Sequence, residues 1–387
     1  MNERNARYDP EQKEKERLMM RPTVFIGLMS GTSLDGVDAV ACTFEPQTQC
    51  LGHAYVAFDE ALRQSLLELL TPGFDEIERS GRVAIELVHV YAKAVSALLE
   101  QTHLQASDVV AIGVHGQTVR HCPADGFTVQ LNNPALLAEL TGIDVIADFR
   151  SRDMAAGGEG APLVPAFHAA LFGNETENRS IVNIGGIANI TLLPADMTRP
   201  TLGFDCGPGN TLLDIWMQAH QDQRYDEGGR WAQTGQINEK LLADFLSDEY
   251  FERNAPKSSG REYFNMDWIR CELFGYPKID PANVQRTLVR LTAQTIVEAI
   301  VRVQPDTRAI FVCGGGVFNP VLMDDIRELA GDISVASTAQ LGVDPMQVEA
   351  MAFAWLAYRF INKKAGNLPA VTNAKGPRIL GALYPAS

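Results

Sequence analysis

The stretch Thr201-Leu202-Gly203-Phe204-Asp205-Cys206-Gly207-Pro208-Gly209-Asn210 decides how the chain folds. A short apolar run (Thr201, Leu202, Phe204) ends in a carboxylate, then meets two glycines and a proline. The residues after it, 211–219, have the composition of a helix. Strand, tight turn and helix in succession are the repeating unit of an α/β protein. Gly207 and Gly209 allow turn geometries and close backbone approach that larger residues resist. Pro208 suits the first turn of the helix. Asp205, at the mouth of the turn, can face a ligand while staying in reach of backbone N–H groups. It can equally do no more than cap the helix.

The same order of elements occurs twice. Apolar, β-branched runs at 23–29, 37–44 and 51–58 predict three strands. Helices follow at about 60–70 and 83–101, the second with an apolar stripe of Leu87, Val90, Ala94, Val95 and Leu98. Then come strands at 109–113 and 127–131, a helix at 134–141 and a strand at 143–147. The second half offers strands at 180–184, 187–193 and 201–204, and helices near 211–219, 237–246 and 283–303. It continues with a strand at 309–313, a helix near 320–329, a strand at 333–336 and a long helix near 346–360. The expected fold is α/β: a duplicated domain with mixed sheets, two lobes and a cleft between them. Residues 1–20 read as a charged, disordered extension, 21–155 as the N-terminal lobe and 156–387 as the C-terminal lobe. The final helix is free to pack back on the first lobe.

A length of 387 residues suffices for two domains. The net charge of -15 argues against a nucleic-acid binder. A local phosphate site stays possible, because backbone N–H groups can build one. Six cysteines, at 42, 50, 122, 206, 271 and 313, form no C-x-x-C pair, so neither a zinc site nor a disulfide framework is indicated. That usage suits a reducing compartment, and a cytoplasmic location is expected. No apolar run reaches membrane-spanning length, and no membrane partner is expected.

Three predicted strands end in turns of small residues: Ser30 to Gly36, Gly185-Gly186, and Gly314-Gly315-Gly316. Glycines at strand exits point N–H groups at phosphates, so three such turns suggest a nucleotide clamped between lobes. There is no P-loop and no dinucleotide fingerprint. Gly31-Thr32-Ser33-Leu34-Asp35 approaches a nucleophile elbow, but Asp35 stands where the second glycine belongs, which disfavours a serine hydrolase. Asp35 and Asp38 sit at the first turn, where a carboxylate can hold Mg²⁺ directly or through water, or Asp35 can merely close the turn. Residues 148–162, charged and then glycine-rich, read as a functional loop or hinge.

Seven motifs together make a resemblance. Met29-Ser30-Gly31-Thr32-Ser33-Leu34-Asp35-Gly36-Val37-Asp38, His115-Gly116-Gln117-Thr118, Asp148-Phe149-Arg150 and Gly160-Ala161-Pro162-Leu163-Val164-Pro165 are the first four. Asn183-Ile184-Gly185-Gly186, Asp205 to Asn210 and Cys313-Gly314-Gly315-Gly316 complete them. The chain resembles the anhydro-N-acetylmuramic acid kinases from about Phe25 to Tyr384. The resemblance implies an actin-like ATPase fold with an RNase H-like sheet in each lobe. It implies ATP and Mg²⁺ as cofactors and an amino sugar, 1,6-anhydro-N-acetylmuramic acid, as substrate. Water would open the anhydro ring while ATP phosphorylates the 6-oxygen, giving N-acetylmuramic acid 6-phosphate in peptidoglycan recycling. Asp205 matches the family's catalytic carboxylate and would take the proton of the attacking water.

The nucleotide would meet Gly31, Thr32, Ser33, Leu34, Asp35, Gly36, Val37 and Asp38, with Gly185, Gly186, Gly314, Gly315 and Gly316. Asp35 is the candidate metal ligand. Candidate sugar contacts are His115, Arg150, Arg152, Gly207, Asn210 and Glu349. Alternatives stand beside several of these. Arg150 and Arg152 can hold a substrate carboxylate or pair with Asp148 and Asp153. His115 can bind sugar hydroxyls or be a satisfied structural group. Glu349 can reach the cleft or only favour its helix N-terminus. Lys257 and Arg261 lie on a polar loop that either closes over the ligand or is plain surface. Ser151 and Glu159 depart from the family pattern, where a basic residue and a glutamine are expected. Competing functions are a kinase for another sugar and a nucleotide-switched binding protein of the same superfamily. A homodimer is left open.

Overall fold

Apolar residues alternate between the two faces of the first strands. Phe25 and Val40 turn one way, Ile26 and Ala41 the other, and each face is buried. The computed structural model describes residues 23–387 apart from Thr32, Pro256 and Arg261. The charged extension of residues 1–20, Thr32 of the first glycine turn and Arg261 of the polar loop lie outside the described residues.

The first half contains β1 (Val24–Met29), β2 (Gly36–Thr43), β3 (Gln49–Ala57), α1 (Glu60–Leu69), α2 (Glu76–Thr102) and β4 (Val109–Val114). A hairpin of β5 (Gln117–Cys122) and β6 (Phe127–Leu131) follows, then α3 (Pro134–Thr141), β7 (Val145–Ala147), α4 (Ser151–Ala155) and α5 (Val164–Phe172). The second half opens with β8 (Arg179–Ile184), β9 (Ile187–Leu193) and β10 (Leu202–Pro208). Five helices come next: α6 (Thr211–Gln221), α7 (Glu239–Leu246), α8 (Glu249–Glu252), α9 (Met266–Leu273) and α10 (Pro281–Val303). The chain then runs through β11 (Ala309–Cys313), α11 (Pro320–Ala330), β12 (Ser334–Ser337), α12 (Val348–Ile361), α13 (Pro369–Thr372) and β13 (Ala382–Tyr384).

Both large sheets have one plan. In the first, β1, β2 and β3 form an antiparallel meander, while β4 and β7 add parallel strands on the other side of β1. In the second, β8, β9 and β10 are the meander, and β11 and β12 the parallel strands. This is the duplicated α/β fold with mixed sheets that the element order predicted. β13 returns from the end of the chain to pair antiparallel with β7.

Three apolar cores result. One lies between the first sheet and α1 and α2, and a second between the other sheet and the α6–α11 helices. The third lies between the sheets and joins Phe25 and Val40 to Ile181 and Phe311 through α5 and α12. α12 lies close on the first sheet: a Cβ on Gly27 would overlap the Ala350 carbonyl, and one on Gly113 that of Phe353.

Candidate functional site

β10 does not end before the carboxylate. It pairs with β9 as far as Pro208, and the register slips so that Cys206 faces no partner. Such a bulge re-aims the side chains around it. Asp205 is therefore inside a strand, not capping α6. Its N–H donates to the Lys257 carbonyl at 3.0 Å, and its carbonyl accepts from the Tyr250 hydroxyl at 2.9 Å. Its Oδ2 accepts from the Ser259 N–H at 3.1 Å. Among the described residues no hydrogen bond is made to Oδ1. Burial pushes the carboxyl up to about 6, against the Ser259 N–H, which favours the charged form. Lys257 lies 4.4 Å over the Tyr250 ring and donates to the Tyr250 carbonyl at 2.8 Å, and burial lowers its ammonium to about 8.

The turn after Asp205 docks on the glycine turn after β8. Gly209 and Thr211 donate their N–H groups to the Gly186 carbonyl at 2.9 and 3.0 Å, and Asn210 to that of Gly185 at 2.8 Å. The Asn210 amide also reaches the Ile184 carbonyl at 3.2 Å. The third glycine turn lies against the same corner, since a Cβ on Gly316 would run into Ile184 and one on Gly314 into Asn183. Gly314 also needs its left-handed φ of 79°. Gly315 differs, because a Cβ there would meet only the Asn210 amide at 3.9 Å. Gly31 and Gly185 are open in the same way, each with a single neighbour at 3.7 Å. Gly36 is closed, its Cβ position taken by Tyr55 and the Val56 carbonyl.

In the first lobe the turn is built from inside. Ser30 Oγ and the Tyr91 hydroxyl are 2.7 Å apart, and Leu34 and Val37 are buried in the first core. Those two side chains offer a ligand nothing but backbone. Ser33 and Asp35 are exposed. Asp38 is half-buried and accepts from His53 Nε2 at 2.8 Å, which raises the His53 imidazole above its ordinary range. Arg150 sits deeper. Its guanidinium lies 2.8 Å from His115 Nε2 and donates to the Gly160 carbonyl at 2.8 Å. A guanidinium only donates, so Nε2 accepts and the proton of His115 is on Nδ1. Burial, then Arg150, holds His115 well below the usual histidine range. Glu349, second residue of α12, is raised by burial and by Asp38, and lowered by Arg150. Burial, then the Glu349 charge, raises the Cys313 thiol at the end of β11, so that charge is felt at both sets of residues.

The structure thus gathers Asp205, Gly207, Asn210 and the second and third glycine turns at one corner. It gathers Ser30, Asp38, His115, Arg150 and Glu349 at another. Arg152 is exposed and joins neither. Asp148 and Asp153 do not ion-pair with Arg150. Asp153 is buried and accepts from the Gly160 N–H, Asn367 and Thr372 at 2.9, 2.6 and 2.8 Å, so the glycine-rich loop is pinned to the C-terminal segment. Asp148 accepts from Ser151 at 2.5 Å. Sequence reasoning missed Tyr250 and Ser259 as partners of Asp205. Its one signal was the polar stretch around Lys257. Among the described residues no three His, Cys, Asp or Glu side chains form a metal cluster, and no helix is long and apolar enough to cross a membrane.

The anhydro-N-acetylmuramic acid kinase family model matches residues 23–386. The chain belongs to that family. An anhydro-N-acetylmuramic acid kinase of Burkholderia pseudomallei is 53% identical over 380 residues, 94% of this chain and 97% of that protein. One of Pseudomonas paraeruginosa is 50% identical over 362 residues, 94% of this chain and 99% of that protein. Among solved structures, the activator of the 2-hydroxyisocaproyl-CoA dehydratase from Clostridium difficile aligns with a TM-score of 0.45 and 11% identity, over 88% of this chain and 96% of that one.

Proposed function

We propose that the chain phosphorylates the 6-oxygen of 1,6-anhydro-N-acetylmuramic acid with ATP while water opens the anhydro bridge. The products are N-acetylmuramic acid 6-phosphate and ADP, and the setting is peptidoglycan recycling in the cytoplasm. The observation that supports this most is Asp205: a half-buried carboxylate raised to about 6, held by one oxygen and set at a glycine-lined corner. A general base works best when its pKa lies near the operating pH.

In this reading Asp205 takes a proton from water as the water oxygen bonds to the anomeric carbon. The bond from that carbon to the 6-oxygen breaks, and the freed oxygen attacks the γ-phosphorus of ATP. The open faces at Gly31, Gly185 and Gly315 admit the nucleotide's backbone contacts, and transfer then depends on positioning and charge neutralisation. Mg²⁺ fits the exposed Asp35 beside Gly31, since it binds through one or two carboxylates plus phosphates and water. There it would neutralise phosphate charge. Arg150, His115 and Glu349 form the proposed sugar-binding wall, with Gly207 and Asn210 opposite. The proposed lobes are 21–155 and 156–387, with α12 and β13 returning to the first.

Turnover of the anhydro sugar with ATP in heavy-oxygen water tests the reading. The label is expected on the anomeric hydroxyl and absent from phosphate. Label in phosphate, or phosphorylation of ordinary sugars alone, overturns it.

A further inference from the structure

β2 and β3 pair in steady register up to Ala41 opposite Gly52. There the register slips: Leu51 is left without a partner, and Cys42 faces Cys50. An unbroken ladder would have set Cys42 against Leu51. Residues directly opposite on antiparallel strands have Cα atoms about 4.5–5.5 Å apart. A disulfide spans roughly 4.4–6.8 Å. The two thiols are near enough for each to shift the other's titration. Cys42 is fully buried in the core between the sheets, and Cys50 is half-buried at its edge. No other cysteines among the described residues face each other across a sheet: Cys122 pairs with Phe127 and Cys313 with Asn183.

Cys50 Sγ has two acceptors for its single proton: Gln347 Oε1 at 3.3 Å and the Gly52 carbonyl at 3.4 Å. Gln347 immediately precedes α12, whose second residue is Glu349.

We propose that Cys42 and Cys50 are a reversible oxidation site, in which a peroxide closes a cross-strand disulfide that withdraws Cys50 from Gln347 and loosens the start of α12. The roles divide by environment. The Cys42 thiol draws Cys50 down to about 7, with burial opposing, while Cys42 itself is pushed up. Cys50 is the partly exposed thiolate, and Cys42 keeps its proton. The Cys50 sulfur attacks a peroxide oxygen, the O–O bond breaks, and an alkoxide or hydroxide leaves to take up a proton. Cys50 is now a sulfenic acid, its sulfur oxidised by two electrons and the peroxide reduced. The Cys42 sulfur then attacks it. An S–S bond forms, the S–O bond breaks, and hydroxide leaves with the Cys42 proton as water. Two thiols and one hydrogen peroxide yield one disulfide and two waters. A dithiol reductant reverses the step by exchange.

The bond itself stands on the strand register alone. Its effect on turnover rests on the proposed function, through Glu349.

The full-length protein is treated with hydrogen peroxide near neutral pH, capped with iodoacetamide, digested without reduction and mapped by mass spectrometry. A Cys42–Cys50 linked peptide that disappears with dithiothreitol is expected. Recovery of the two as separate peptides, or linkage chiefly to the exposed Cys271, overturns the proposal. In Cys42→Ala the linked peptide should vanish. The pH midpoint for alkylating Cys50 should also move up from about 7, because its neighbouring thiol is gone. A midpoint that stays put means that Cys42 does not tune Cys50, and the division of roles between the two fails. Sugar phosphorylation should drop several-fold on oxidation and recover with dithiothreitol, while Cys50→Ala stays insensitive. A linked peptide in enzyme of unchanged turnover overturns the coupling to α12. A protein that never phosphorylates the anhydro sugar overturns the proposed function instead and leaves the mapping result standing.

Discussion

Two demands meet on Asp205. Burial disfavours its charge, and the Ser259 N–H supports it. The base must be ionised to act, so kcat/KM should rise with pH through about 6 and level off above it. Asp205→Asn should remove that limb and lower turnover by at least ~10²-fold. A variant with near-normal turnover would mean another group is the base. Stability should move the opposite way. A carboxyl whose folded pKa is raised contributes stability at low pH that is lost as pH rises through about 6. Asparagine stays neutral and still accepts from Ser259. Thermal melts should therefore find Asp205→Asn equal to the parent near pH 4 and more stable at pH 7, and a less stable variant at pH 7 would count against burial as the cause. Ser259→Pro deletes the supporting N–H and should shift the kinetic limb upward, whereas Ser259→Ala keeps it and should not. Asp205 was legible because it sits in a short motif. Ser259 was not, because it lies 54 residues away and acts through its backbone, which any residue but proline supplies.

The open glycines and the packed ones predict different kinds of damage. A Cβ on Gly31 meets only Ser33 Oγ at 3.7 Å, so Gly31→Val should fold normally and raise the KM for ATP sharply. Unchanged ATP kinetics in a folded variant would remove Gly31 from the nucleotide site. Gly27→Ala should instead cost about 1–3 kcal/mol in urea unfolding, because the methyl group enters the backbone of α12. A cost near zero would mean that α12 shifts freely over β1. The strands of the two meanders were readable as apolar, β-branched runs bounded by turns, because most are buried on both faces, and the long helices showed through their apolar stripes. α5 escaped because Val164–Phe172 is apolar on nearly every side, as a helix between two sheets must be. The first two turns of α2 escaped for the opposite reason: residues 76–82 are mostly exposed and carry no apolar stripe. β10 was cut short at Phe204 because Gly207 and Pro208 punctuate it, yet proline is tolerated on an edge strand. β13 is three residues long and has no pattern to read.

At the scale of the molecule, the interlobe core decides cooperativity. Phe25 and Val40 of the first sheet share it with Ile181 and Phe311 of the second, so neither lobe closes its own apolar surface. Calorimetry should show one unfolding transition whose calorimetric and van't Hoff enthalpies agree. Two resolved transitions would show that the lobes fold independently. The return of α12 and β13 to the first sheet also bears on how the chain is made. Synthesis runs from the N-terminus, and domains commonly fold in that order. Here, when β7 has left the ribosome, the first sheet has a bare edge where β13 belongs and a bare face over Gly27 and Gly113 where α12 belongs. α12 is not complete until Ile361 and β13 not until Tyr384, so almost the whole chain must be translated before the nascent first sheet is covered, and vectorial folding cannot finish the lobe that is made first.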